Sequence, residues 1–101
     1  MDKTILYVGL NDKKARVQLI ETTRALNLIE SVCFEYTNGA TISTGRGIYK
    51  NGKNRVIENT IIIELLDCNI KSVYRICRIL KKRLNQQEIA IQQYIVDGAL
   101  L

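Results

Sequence analysis

An α+β fold is predicted for this chain of 101 residues: a four-stranded antiparallel sheet with two helices on one face. Three observations predict it. Strand-like apolar patterning covers residues 40–49 and, most clearly, 56–66. Asn51-Gly52 stands between these runs as a hairpin signal, because a type I′ turn needs positive φ at both central residues. One helical pattern precedes this hairpin and another follows it, with a strand-like run outside each.

The elements follow in order. Thr4-Ile5-Leu6-Tyr7-Val8-Gly9-Leu10 is a short apolar, β-branched and aromatic run that reads as a buried strand. Asn11-Asp12 offers a helix N-cap, and an acidic residue suits the dipole there. The first helix is therefore expected over 12–27, with Ala15, Leu19, Thr22, Thr23 and Leu26 on one side and Val17, Ile20 and Leu28 elsewhere. Residues 28–34 either extend that helix or begin an irregular crossing, and residues 35–39, ending in Asn38-Gly39, read as a turn. The second strand, 40–49, contains Gly45 and Gly47, which signal a bulge or the close approach of another group. In the third strand Ile57, Ile61, Ile63 and Leu65 should face the core, and Glu58, Thr60, Ile62 and Glu64 the other side. Asn69 is the better N-cap for a second helix over 70–85, whose stripe is Ile70, Val73, Cys77, Leu80 and Leu84. A last strand over 88–96 carries Ile89, Ile91 and Ile95 on one face, and Gly98-Ala99-Leu100-Leu101 forms an apolar tail. This order is the split βαβ, or ferredoxin-like, pattern βαββαβ. Right-handed crossovers place both helices on one face. The opposite face, with Ile62, Leu66, Tyr94 and Val96, is then an apolar surface. Self-association into a homo-oligomer is the expected cover, and the C-terminal tail is the alternative.

The bulk composition sets limits on function. A single domain over 1–101 is expected, and 47% hydrophobic with 25% charged residues is globular usage. No apolar run nears the roughly 20 residues of a membrane span, and the N-terminus lacks the pattern of a secretory signal, so a cytoplasmic protein without a membrane partner is expected. Cys33, Cys68 and Cys77, an odd count at irregular spacing, read as buried thiols rather than a disulfide framework. With no histidine and no Cys-x-x-Cys pair, no metal site is expected, and no cofactor is implied. Histidine-based acid–base or nucleophilic catalysis is excluded. The net charge of +5 is compatible with anionic ligands.

Three places carry candidate chemistry. Ser43-Thr44-Gly45-Arg46-Gly47 has the hydroxyls, glycine N–H groups and cation of an anion nest. It lacks the spacing and following helix of a Walker loop. Lys71, Arg75, Arg78 and Lys82 place four cations on one side of the second helix, a ridge for nucleic-acid phosphates. Glu58 and Glu64 share one strand face about 20 Å apart, too far to cooperate. Glu58 is instead expected to pair with Arg46 across the hairpin, with Tyr49 in the same polar cluster.

Tyr7-Val8-Gly9-Leu10, Gly39-Ala40-Thr41-Ile42, Gly45-Arg46-Gly47-Ile48-Tyr49 and Ile57-Glu58-Asn59 together resemble small uncharacterised bacterial ferredoxin-like proteins and the nitrogen-regulatory PII and CutA-like group. That resemblance implies trimers built around the sheets and an effector site near the loop between the second and third strands. The segment 49–55 is too short for a long effector loop of the PII kind, which speaks against nucleotide binding. No catalytic residue carries over.

The sequence supports three functions in this order. The first is an oligomeric binding or regulatory module holding a small anionic ligand, or a protein partner, near Ser43, Thr44, Gly45, Arg46, Gly47, Tyr49 and Glu58. The second is a nucleic-acid-binding protein that uses the second helix. The third is a small enzyme with a cleft between subunits and Glu58, Tyr49 or Cys33 at work.

Overall fold

The computed structural model describes residues 1–98. Six elements follow in the expected order: β1 (Asp2–Gly9), α1 (Thr22–Tyr36), β2 (Thr41–Asn51), β3 (Asn54–Leu66), α2 (Ile70–Arg83) and β4 (Ala90–Ile95). The strands lie in the order β2-β3-β1-β4, and every neighbouring pair is antiparallel. This is the ferredoxin-like arrangement.

Strand periodicity sorts the side chains between two faces. Leu6 lies opposite Ile63 and Val8 opposite Ile61. These four and Leu65 are fully buried under the helices. α1 adds Ala25, Ile29, Val32 and Cys33; α2 adds Val73, Ile76, Cys77 and Leu80, and Leu84 follows. Each large aliphatic residue taken from water contributes roughly 1.5–3 kcal/mol, which holds both helices to the sheet. Asn69 caps α2 as expected, its side chain accepting from the Lys71 N–H at 2.8 Å. Lys81, Lys82 and Arg83 in the last turn complement the helix dipole.

The first helix begins ten residues later than expected. Asp12 does cap the backbone, accepting from the N–H groups of Lys14 and Ala15 at 3.0 Å each. The chain then turns out of the helical path at Arg16, whose φ is +60°, and the Asp12 N–H closes the loop on the Val17 carbonyl at 2.9 Å. The cap therefore serves an isolated turn. The buried helical stripe is Ala25, Ile29, Val32 and Cys33 rather than the Ala15–Leu26 set, and residues 28–34 are helical throughout.

Smaller corrections have local causes. The hairpin pairs Asn51 with Asn54, so its central residues are Gly52 and Lys53. Only Gly52 has positive φ, at +63°, the pattern of a II′ turn rather than I′. In α2 Ile76, outside the expected stripe, is fully buried beside Val73 and Leu80, while Ile70 is exposed in the first turn. Ile57, Ile91 and Ile95 lie on the helix side of the sheet but beyond the reach of either helix, and are exposed. The β2–β3 ladder runs unbroken from Thr41–Glu64 to Asn51–Asn54. Gly45 and Gly47 therefore mark close approach, not a bulge.

The face away from the helices carries Ile5, Tyr7, Ile62, Leu66 and Tyr94. Leu66 and Tyr94 are exposed. Lys3 pairs with Glu64 on this face at 3.4 Å. Of the tail expected to compete for it, Ala99, Leu100 and Leu101 lie outside the described residues. Among the described residues no helix is long and apolar enough to cross a membrane.

Candidate functional site

β1 ends where the β2–β3 hairpin carries on. Gly9 is its last residue and lies opposite Thr60. The Leu10 N–H donates to the Asn59 carbonyl at 3.0 Å, and the Asn11 N–H donates to Glu58 Oε2 at 3.0 Å. Beyond that point β3 has a neighbour only in β2, and a notch opens on the open sheet face.

Glycines shape the notch. Gly45 lies opposite Thr60 and Gly47 opposite Glu58, while Gly9 flanks Thr60 from β1. A Cβ on Gly9 would overlap the Glu58 carboxylate. A Cβ on Gly47 would lie 2.6 Å from the Tyr49 hydroxyl and 2.9 Å from Thr60 Oγ1. The absent side chains thus leave room for Glu58 to lie over β1 and for Tyr49 to lean back across β2. Thr60 Oγ1 is buried between them without a hydrogen-bond partner. Burial, and then the charge of Glu58, push the Tyr49 phenol above its ordinary value. Tyr49 stays protonated at neutral pH and remains a donor beside a carboxylate.

Two loops wall the notch. Asp12 is the hub of the first: its Oδ1 accepts from Asn85 Nδ2 at 2.7 Å, and the Lys13 N–H donates to the Asn85 carbonyl at 3.1 Å. Backbone donors at Ala15 and Lys14, with the Asn85 amide, hold the Asp12 carboxyl below its usual range. Gln86 Nε2 donates to the Asn11 carbonyl at 2.7 Å and ties in the second loop. The open cavity of the notch is about 440 Å³ and is lined by Tyr7, Gly9, Arg16, Tyr49, Glu58 and Glu88 among others. A second hollow of about 380 Å³ lies on the other side of Glu58, between Arg16 and Arg46. A larger hollow, about 640 Å³, lies at the far end of β1. Its Asp67 is already engaged by the Asp2 N–H at 2.8 Å, and the orphaned Thr60 hydroxyl singles out the notch instead.

The structure divides the residues expected at one site. Ser43, Gly45, Gly47, Tyr49 and Glu58 share the open face. Thr44 and Arg46 project to the other. Arg46 lies opposite Asn59, not Glu58, and among the described residues no ion pair joins Arg46 to Glu58. Gly45 and Gly47 lack the positive φ of a backbone nest. Lys71, Arg75, Arg78 and Lys82 are exposed on α2, in the layer behind the sheet, and Arg75 stacks over Tyr36 at 5.5 Å. Cys33 lies in the core, where burial pushes its thiol up to about 11, so it takes no part in the notch. Sequence reasoning missed Tyr7, Gly9, Asn11, Arg16 and Thr60. A glycine closing an apolar strand, Gly9, was the available signal. Among the described residues no three His, Cys, Asp or Glu side chains gather to hold a metal.

No protein-family model and no curated protein sequence matches the chain. Solved structures do. A phage SAM lyase in complex with S-methyl-5'-thioadenosine aligns with TM-score 0.67 at 16% identity, covering 92% of this chain and 79% of that one. CutA1 from the psychrotrophic bacterium Shewanella sp. SIB1 aligns with TM-score 0.58 at 11% identity over 97% of this chain and 84% of its own. A DUF3240 family protein from Shewanella baltica aligns with TM-score 0.57 at 9% identity over 99% and 97%. At these identities the likeness is one of fold, and it includes the CutA-like resemblance seen in the sequence.

Proposed function

We propose that the protein is a small lyase acting on a sulfonium nucleoside of the S-adenosylmethionine type, with its site in the Gly9–Glu58–Tyr49 notch. The carrying observation is the Glu58 carboxylate, held over Gly9 by the Asn11 N–H with Tyr7 and Tyr49 lining the same cavity. A carboxylate among aromatic rings suits a cation, and a sulfonium is a cation of that size. The phage lyase of similar fold was solved with S-methyl-5'-thioadenosine, the thioether that remains when such a sulfonium loses its amino-acid chain. In that cleavage the C–S bond breaks and its electron pair stays on sulfur. A lyase consumes no water; the carbon left behind closes onto the substrate's own carboxylate oxygen as a lactone, the new C–O bond forming as the C–S bond breaks. Glu58 holds the cation, and the Tyr49 hydroxyl donates to the nucleoside.

The notch opens on a sheet face with exposed Leu66 and Tyr94. Sister copies packed on that face complete its walls and hide the apolar surface. The purified chain incubated with S-adenosylmethionine should release S-methyl-5'-thioadenosine, read by mass spectrometry, and should sediment as an oligomer. An unchanged substrate pool with a monomeric sedimentation profile rejects the proposal.

A second reading, a binding or regulatory module without turnover, is favoured by the fold shared with CutA1 and the DUF3240 protein. It predicts saturable calorimetric binding of S-methyl-5'-thioadenosine without any cleavage of the sulfonium.

A further inference from the structure

We infer that Arg16 receives the carboxylate of the substrate's amino-acid chain; this rests on the sulfonium reading above. The guanidinium belongs to the one residue, among those lining the two hollows beside Glu58, that is a cation in both; Lys13 lines only the first and Arg46 only the second. Among the described residues no ion pair engages it. Its backbone is held at φ +60°, where an L-residue with a long side chain is disfavoured.

That conformation is imposed from several sides. The Arg16 N–H donates to the Asp12 carbonyl at 2.8 Å, and the Asp12 N–H donates to the Val17 carbonyl at 2.9 Å. The Asp12 side chain is itself fixed by Lys14, Ala15 and Asn85. Just past Arg16, Gln18 accepts from Asn59 Nδ2 at 2.8 Å and donates to the Ile20 carbonyl at 2.7 Å, which stitches the loop to β3. Glycine would occupy Arg16's position without strain. An arginine held in an over-determined, unfavourable conformation at the mouth of a cavity points to a role for its side chain.

The charges then match the substrate end to end. The carboxylate of such a sulfonium amino acid stands a few bonds from its sulfur. Glu58 and the two tyrosines face the cationic end. A guanidinium offers paired N–H donors to the anionic end, in the fork that binds a carboxylate bidentately. S-methyl-5'-thioadenosine has no carboxylate, so Arg16 distinguishes substrate from product and favours release of the latter.

Arg16→Gln tests this in the full-length protein. The KM for S-adenosylmethionine should rise at least tenfold, while calorimetric affinity for S-methyl-5'-thioadenosine stays within twofold. Arg16→Lys should recover part of the loss. Arg16→Gly should show the same KM defect with an unchanged or higher melting temperature, which separates loss of the side chain from damage to the loop. An unchanged KM in Arg16→Gln, or an equal loss of affinity for both ligands, overturns the inference alone. A native chain that neither cleaves S-adenosylmethionine nor binds S-methyl-5'-thioadenosine overturns the lyase reading, and this one with it.

Discussion

On the helix side of the sheet, Leu6, Val8, Ile61, Ile63 and Leu65 pack under the helices and are fully buried. On the open side of the same strands stand Gly9, Gly45 and Gly47, with Thr60, Glu58 and Tyr49 folded into the space they leave. Successive residues of β3 serve the two faces in turn: Thr60 the notch, Ile61 the core. The first face is selected for volume, because an empty space among packed side chains costs both transfer energy and contacts. The second is selected for room, because a carboxylate and a phenol can be aimed at a ligand only where neighbouring side chains are missing. On the lyase reading proposed above, stability and chemistry are separated across the thickness of one sheet.

Substitutions on the two faces should therefore fail in different ways. The largest expected effect is in the core: Ile63→Ala should lose about 2–5 kcal/mol in denaturant unfolding, with cleavage per folded molecule near the native value. Glu58→Gln should do the reverse, lowering kcat/KM for S-adenosylmethionine about a hundredfold while the melting temperature stays close to native. A matching fall in stability would dissolve the separation. Gly9→Ala is gentler. Its methyl group meets the flexible end of Glu58 rather than backbone, so the carboxylate shifts and activity should drop about tenfold, roughly 1.4 kcal/mol in the transition state, in a protein that still folds.

The smallest effect belongs to pH and the core. Cys33 is pushed up to about 11 from 9.0, so the unfolded chain loses this proton first as pH rises. Its contribution is complete below pH 9, declines as pH climbs above 9, and is gone once pH passes the folded value near 11. By pH 9.5 the loss from this thiol should be under about 1 kcal/mol, seen as a falling denaturant midpoint that is shallower in Cys33→Ala, where the raised thiols of Cys77 and Cys68 still contribute. A midpoint insensitive to pH between 8 and 10 would contradict the burial of this thiol.

The sequence carried the fold further than the site. Alternation in β3 and the Asn69 cap with its amphipathic helix were legible because each depends on residues close in the chain. α1 was misplaced because Asp12 makes a genuine cap, and nothing local reveals that the chain leaves the helical path at Arg16 four residues on. Ala25, Ile29, Val32 and Cys33 had helical spacing all along, but a nearer start signal competed with it. The sequence pairs Glu58 with Arg46 and sets Tyr49 in the same cluster; Tyr49 does share the face of Glu58, but hairpin proximity says little about face, and one residue of register sends Arg46 to the opposite side.

By itself, the sequence determined the number, order and kind of the elements, since periodicity and caps are written in neighbouring residues. Only the tertiary structure decided that Gly9, Gly47, Thr60, Glu58 and Arg16 meet at one notch. They come from three strands and a loop, and the register that aligns them is set by packing beneath the helices rather than by any local pattern.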